Sequence, residues 1–314
     1  MKTLIGFILF VGSILFLLTI VDFEQVVSNF SDIRLSYAFI SGLSLFVHFC
    51  LRAERLQIIS GMTFRQDSYG IIFLSNFANM ILPLRLGEVV KIGLIKIFFS
   101  KSLSTSTFIV IFERALDLFI VFCLGLVLVS VYSFELSNFK FQIITFGAIS
   151  VGVILLVCLL RNTYTQNTFL KKFFNLTNFD VSALNQTNGL RVIIFSFLIW
   201  AFTAFFHYAC CLSFGVEVNV SHALIITLLN SLFISVPSSP GFIGPYQASF
   251  VLAGKIIGLD ANKAMSISIL SHLINYLLLT PASVYFLCKT KMNLTDINSL
   301  TKISKLKQSR DCQE

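Results

Sequence analysis

The sequence predicts an all-α polytopic membrane protein of two inverted repeats, each with about three spanning helices plus one re-entrant broken-helix hairpin. Three observations predict it. The chain is 56% hydrophobic and only 12% charged, with 35 phenylalanines in 314 residues. A water-soluble core cannot bury that much apolar surface. Its apolar runs have the length of bilayer-spanning helices, about 18 residues or more. Two of the runs are broken by proline and glycine, in "MILPLRLGEVVK" (80–91) and "VPSSPGFIGPYQ" (236–247).

The elements follow in order. The opening run "MKTLIGFILFVGSILFLLTIVDFE" has the look of a secretory signal, but Leu4–Val21 is long and no small-x-small cleavage site follows. It is read as a retained first span. A second helix is expected near 36–58, a broken apolar stretch at 69–98, and helices near 104–132, 141–160 and 191–214. A second broken stretch covers 222–257, and a last helix lies near 262–288. The segment 161–190 is polar and rich in Asn and Thr, so it reads as a cytoplasmic loop between the halves. The basic tail 289–314 is expected along the anionic inner leaflet. Residues 1–288 thus form a single integral membrane domain, with repeat 1 at about 1–135 and repeat 2 at about 141–288.

Lysine and arginine set the orientation. Suppose that the N-terminus is cytoplasmic and that each broken stretch enters and leaves by one side. The cytoplasm then receives Lys2, Arg52, Arg55, Arg65, Lys91, Lys96, Lys101, Arg161, Lys171, Lys172, Arg191 and the basic tail. The outside receives Arg34, Lys140, Lys255 and Lys263, while Arg85 and Arg114 stay at membrane depth. The bias of basic residues toward the cytoplasm places both termini there, in the cytoplasmic membrane. The net charge of +8 is assigned to these loops rather than to nucleic acid.

The two halves share an order of landmarks. Pro83-x-x-x-Gly87 matches Pro240-x-x-x-Gly244, and Asn76 precedes Pro83 by the same interval as Asn230 precedes Pro237. The pair Arg114 and Asp117 is matched by His272 and Asn275, and His48 by His207. An odd number of spans per unit turns the second copy upside down. Irregular backbone survives in a membrane only when buried in protein or lining a wet cavity. Proline removes a donor and glycine allows reversal, so Pro83, Gly87, Pro237, Pro240, Gly241 and Gly244 are read as hairpin breakers. Helices restarting after Gly87 and Gly244 aim free N–H groups inward, which suits an anion. The competing reading is ordinary interfacial turns, since breakers are also commoner in membrane helices.

Charges inside apolar helices cost about 2.5–3.5 kcal/mol each at mid-helix, and mark sites or pathways. Glu113, Arg114 and Asp117 share one helical side and can form a local ion pair. They serve as a ligand site, as a clamp in which Arg114 pairs Asp117 or Glu88, or as both. Arg85 on the first hairpin tip suits direct phosphate contact through its planar fork; the alternative is snorkelling to the interface. Glu88 and Lys91, three apart, can pair, with Lys91 at the cytoplasmic surface. The second half offers Ser238, Ser239, Tyr246, Gln247, Ser271, His272 and Asn275, which bind a ligand or glue helices together. His272 is a weak candidate for a proton relay, and His48 and His207 read as structural. No P-loop, H-E-x-x-H or G-x-S-x-G is present, and no metal-spaced Cys/His set. No enzyme activity, cofactor or metal is expected. Cys50, Cys123, Cys158, Cys210, Cys211 and Cys288 fall in apolar segments and read as small buried hydrophobes.

"NMILPLRLGEVVK", "ERALD" and "PSSPGFIGPYQ" resemble the flippase-like integral membrane family that includes the membrane part of lysylphosphatidylglycerol synthases. The resemblance covers most of the chain. It implies two related halves with broken helices, and movement of lipid or lipid-linked headgroups between leaflets. The family's P-x-x-x-G-E-x-x-(R/K) pattern falls on Pro83, Gly87, Glu88 and Lys91, and its E-R-x-x-D pattern on Glu113, Arg114 and Asp117. The family often has Glu where this chain has Gln247, and Arg where it has His272. Those departures imply a different or less polar headgroup at the second-half site. In fused members a synthase domain aminoacylates phosphatidylglycerol; that activity is not expected of this sequence, which holds no such domain.

The leading expectation is a lipid translocator that passes an anionic or lipid-linked headgroup through a polar cleft between the hairpins. Arg85 and Arg114 would hold phosphate, with Glu88, Glu113 and Asp117 positioning them, and Gln247, His272 and Asn275 facing them from the second half. The partner is then a membrane lipid, together with envelope-biosynthesis enzymes. The alternatives are a secondary carrier for a small solute, and a non-catalytic membrane partner in envelope lipid or glycan synthesis.

Overall fold

A computed structural model of the protein describes residues 2–61, 65–82, 85–131, 186–235 and 240–290. The described residues are all-helical. Helix α1, Lys2–Ile20, is the first apolar run. It does not simply continue outward. Asp22 accepts hydrogen bonds from the backbone N–H groups of Glu24 (3.0 Å) and Gln25 (3.4 Å), so it caps a new short helix, α2, Phe23–Asn29. The chain bends by 80° there. A 3₁₀ turn, Phe30–Asp32, leads to α3, Leu35–Ser60, which stops at the left-handed Gly61.

The first broken stretch is two helices, α4, Arg65–Ile81, and α5, Gly87–Phe98. Of its breakers, Pro83 lies outside the described residues, while Gly87 opens α5. A Cβ at Gly87 would collide with the Ser75 carbonyl and the Asn79 side chain, so the two arms cross where only glycine fits. Helix α6, Leu103–Val131, is capped by Ser102, whose hydroxyl accepts from Thr105 N at 3.1 Å. Helix α7, Gln186–Ser213, begins inside the segment that reads as a polar loop. The N–H groups of a first turn have no partner within the helix, so a polar sequence suits that end. The expected helix near 141–160 and the tail beyond Thr290 lie outside the described residues.

The second broken stretch comprises α8, Val220–Ser235, a 3₁₀ turn, Pro240–Phe242, and α9, Pro245–Ile257. Pro237 lies outside the described residues. Gly241 and Gly244 both have positive φ, 67° and 93°, which glycine alone adopts without strain. Pro245 then starts α9 at a position where its missing N–H is no loss. Gly258 ends α9 in the left-handed region, and Asp260 caps α10, Ala261–Thr290. Among the described residues, three helices are suited by length and composition to cross a membrane: Leu35–Ser60, Gly189–Ser213 and Ala261–Thr290. The bent pair at the N-terminus makes a fourth if counted as one span. Phe39, Leu277 and Tyr285 are largely exposed on α3 and α10, as side chains facing lipid rather than water would be.

The described residues divide into two compact units. One takes the chain up to Phe49, Ile72–Val90 and the residues from Ala201 onward. Its core includes Leu17, Val21, Val26, Val251, Ala264 and Met265. The other takes Cys50–Ile71 and Lys91 to Trp200, with Ala53, Leu56, Ile59, Leu94, Ile95, Ile109 and Ile120 buried. Cys210 and Cys211 are buried as the sequence suggests, but Cys288, in the last turns of α10, is exposed. Cys158 lies outside the described residues.

Candidate functional site

The densest set of buried charge lies in the second unit. It is built from α3, α5, α6 and α7. Residues 113, 114 and 117 share one side of α6 by helical spacing. Arg55 on α3 is fully buried. Its Nη1 donates to Asp117 Oδ1 at 2.8 Å and to Ser196 Oγ on α7 at 3.0 Å, and its Nη2 is 3.7 Å from Glu113 Oε1. Lys91 Nζ on α5 donates to Glu113 Oε2 in a short ionic hydrogen bond. Arg114 Nη1 lies 3.3 Å from Asp117 Oδ2, with 32% of its side chain exposed. Arg52, one turn before Arg55, is buried within electrostatic reach of Arg55, Glu113, Arg114 and Asp117. Glu54 sits on another side of α3 and accepts from the Tyr69 hydroxyl at 2.7 Å. Each carboxylate of the cluster thus serves two cations, Glu113 holding Lys91 and Arg55, and Asp117 holding Arg55 and Arg114.

A second, milder set lies in the first unit. Gly244 N–H donates to Gln247 Oε1 at 2.9 Å. That bond fixes the amide orientation, so Gln247 Nε2 is the donor to His272 Nδ1 at 3.1 Å. Nδ1 is therefore the accepting nitrogen, which leaves Nε2–H as donor, and the ring also meets the Gly241 backbone. His272 is locked as a neutral tautomer that pins the second hairpin tip to α10. Tyr246 stacks on it at 4.4 Å between centroids and bonds Ser271 at 3.0 Å. Asn275 donates to the Ser271 carbonyl of its own helix. Asn230 bonds Ser249 and so ties α8 to α9, and His207 bonds Thr227 at 2.9 Å, as His48 does Thr203.

The two hairpin tips meet in this unit. Arg85, with a positive φ of 58°, donates to the Ser235 carbonyl at 3.2 Å. Tyr276 donates to the Met80 carbonyl at 3.4 Å. A Cβ at Gly241 would lie 3.0 Å from the same carbonyl and against the Tyr276 hydroxyl. Glu88 sits half-buried on the first turn of α5.

The sequence of this chain matches the family described as lysylphosphatidylglycerol synthase TM region over residues 3–283. The chain belongs to that family. It is also similar to a UPF0104 membrane protein of Methanocaldococcus jannaschii, 26% identical over 211 residues, which cover 64% of this chain and 88% of that protein. No solved structure matches it. Membership in the lysylphosphatidylglycerol synthase TM family, with the apolar helices above, makes the protein an integral membrane protein.

Within this family member, the E-R-x-x-D residues Glu113, Arg114 and Asp117 are brought together as the spacing suggests. Lys91 is not a surface residue, as it is only 2% exposed and engaged with Glu113. Arg52 and Arg55, which counting charges places toward the cytoplasmic side, are buried within the second unit. A signal for them exists: Arg52 and Arg55 are three apart in "FCLRAERLQII", flanked on both sides by apolar residues, as the α6 trio is. Arg85, Gln247, His272 and Asn275 fall in the other unit. Among the described residues no group of His, Cys, Asp and Glu is arranged to hold a metal ion.

Proposed function

We propose that this protein is a non-enzymatic lipid translocator, moving an anionic or lipid-linked headgroup between leaflets through a polar path lined by the broken helices while the acyl chains stay in the bilayer. The observation that carries this reading is the buried ionic cluster of Arg55, Lys91, Glu113, Arg114 and Asp117 on helices of a lysylphosphatidylglycerol synthase TM protein. Intramembrane charge is expensive and is retained where it serves a path or site. The family's name ties related proteins to a phospholipid. The meeting of the two hairpin tips, through Arg85 and Ser235 and through Tyr276 and Met80, is what broken helices lining a midplane site would produce. In this reading the two halves are inverted repeats and both hairpins are re-entrant.

The saturation of Glu113 and Asp117 by cations favours one other reading, a structural clamp in a non-transporting partner of envelope lipid or glycan synthesis. Proteoliposomes separate them. The purified protein is reconstituted with a fluorescent phosphatidylglycerol, and leaflet exchange is followed by quenching from outside. Exchange by wild type, lost in Arg85→Ala and Arg114→Ala at unchanged helicity, supports translocation. Exchange by the folded wild type no faster than in protein-free liposomes leaves the clamp.

A further inference from the structure

We infer that Asn79 and the first turn of α5 form a subsite for a hydroxyl group, the glycerol or sugar end of a headgroup rather than its phosphate. The inference rests on the translocator reading for the lipid source of that hydroxyl and deepens it by naming a part of the headgroup.

Two observations in the first hairpin carry it, and both lie in the compact unit that holds Ile72–Val90. The first is the start of α5 at Gly87. The N–H groups of a first helical turn have no partner within the helix, and the helix dipole puts its positive end there. In the second hairpin the chain caps its own restart, where Gly244 N–H donates to Gln247 Oε1 at the start of α9.

The second observation is Asn79, near the end of α4. The residue is only 9% exposed, and its Oδ1 is buried without a hydrogen-bond partner. It lies against α5, since a Cβ on Gly87 would fall 2.5 Å from Asn79 Cγ and Oδ1. A buried acceptor thus sits beside a donor-rich helix end and does not bond it. Such acceptors cost stability and are rare in native proteins. The approach is open to a small group, because Leu86, Glu88 and Val89 around Gly87 are only half-buried.

The chemistry of the occupant follows from these two poles. A phosphodiester brings acceptors alone, which Oδ1 repels, and Glu88 already supplies negative charge on this turn. An ammonium donates to Oδ1 but opposes the positive end of the helix. A hydroxyl satisfies both sides, donating to Oδ1 and accepting from a first-turn N–H. The same dipole sets the amide orientation, because turning it over would bring the Nδ2 donors against those of the helix.

The test uses the full chain in phosphatidylcholine nanodiscs that contain the same minor share of phosphatidylglycerol or of phosphatidylethanol. Both are singly charged phosphodiesters, and only the first carries headgroup hydroxyls. A third sample adds glycerol phosphate, without acyl chains, to phosphatidylcholine nanodiscs. Retained lipid is read by native mass spectrometry, and binding by the rise in melting temperature. The expected result is retention of phosphatidylglycerol over phosphatidylethanol by about tenfold, the scale of one hydrogen bond. Asn79→Leu, close to asparagine in shape, abolishes that preference. Without ligand it melts at or above the wild-type temperature, because it removes an unsatisfied acceptor. Asn79→Asp keeps an acceptor in place and keeps the preference. A ligand-free Asn79→Leu protein that melts well below the wild type marks a structural amide and overturns the subsite, as does a preference that survives Asn79→Leu. Equal retention of the two lipids by the wild type is the mark of a site that holds water alone; it overturns the hydroxyl assignment and leaves the translocator reading intact. A melting-temperature rise with glycerol phosphate that Asn79→Leu loses, with neither lipid retained, upholds the hydroxyl subsite and overturns its lipid source. No binding of any probe to folded protein overturns the subsite itself.

Discussion

Replacing Glu113 with leucine should be among the most damaging single changes in the buried cluster. Glu113 has no exposed surface, and it receives the ammonium of Lys91 and faces Arg55 Nη2 at 3.7 Å. Without it, Arg55 keeps one of its two carboxylate neighbours, Asp117, and Lys91, 2% exposed, keeps its charge without this partner. Removing one member of a buried ion pair costs about 3–5 kcal/mol, mostly from the charge left behind. Because two cations lose their acceptor, the upper half of that range is expected, a shift of about a thousandfold in the folding equilibrium. Adding Lys91→Met should recover about 2 kcal/mol or more, since it removes the stranded charge. The assay is unfolding in mixed micelles, followed by circular dichroism, for the wild type, both single variants and the double. Additive losses, or a cost for Glu113→Leu below about 1 kcal/mol, the scale of an exposed pair, would refute the reasoning.

Other outcomes follow from geometry described above. Gly87→Ala drives a Cβ into the Ser75 carbonyl, a backbone atom that cannot rotate away, so folded yield should collapse in a fluorescence-detected gel-filtration assay. Gly241→Ala adds left-handed strain of about 1–2 kcal/mol to a contact with Tyr276; truncating Tyr276 to Phe alongside it should return part of the lost melting temperature. Gln247→Leu takes away the partners of Gly244 N–H and His272 Nδ1 and should cost about 1–3 kcal/mol, with faster hydrogen exchange confined to the start of α9. Asn230→Leu cuts the bond to Ser249 and should cost only about 0.6 kcal/mol, the mean for hydrogen bonds between membrane helices, read by the same unfolding titration.

Helix positions were legible because the signal is local. Runs read near 36–58, 104–132 and 262–288 are found as Leu35–Ser60, Leu103–Val131 and Ala261–Thr290. The breaks were legible because Pro and Gly act on their own backbone. The partners of the buried charges were not. Arg55 and Asp117 are 62 residues apart, and Lys91 and Glu113 are 22 apart on different helices. A charge count sorts Arg52, Arg55 and Lys91 by side of the membrane and carries no information about their partners. Only tertiary packing reveals that acids on α6 draw them inward. The bend after α1 had a local sign, Asp22 followed by Gln25, which is a capping pattern. Hydropathy alone hides it, since Val21 and Phe23 keep the run apolar.

The bend also orders events in time. Asp22 N–H bonds the Asn262 side chain at 2.8 Å, 240 residues away, and Asn29 bonds Ser266. Leu17, Val21 and Val26 pack with Val251, Ala264 and Met265. The seat for α1 and α2 therefore belongs to segments made much later. At about 5–20 residues per second, the 240 residues separating Asp22 from Asn262 correspond to a wait of roughly 10 to 50 s. Throughout that interval the ribosome has released α1 and α2 without the neighbours they are shaped for, and lipid or a membrane chaperone must occupy the place of α9 and α10. Arrival of α10 is then a closing step, fastening α2 to a helix 240 residues further along the chain.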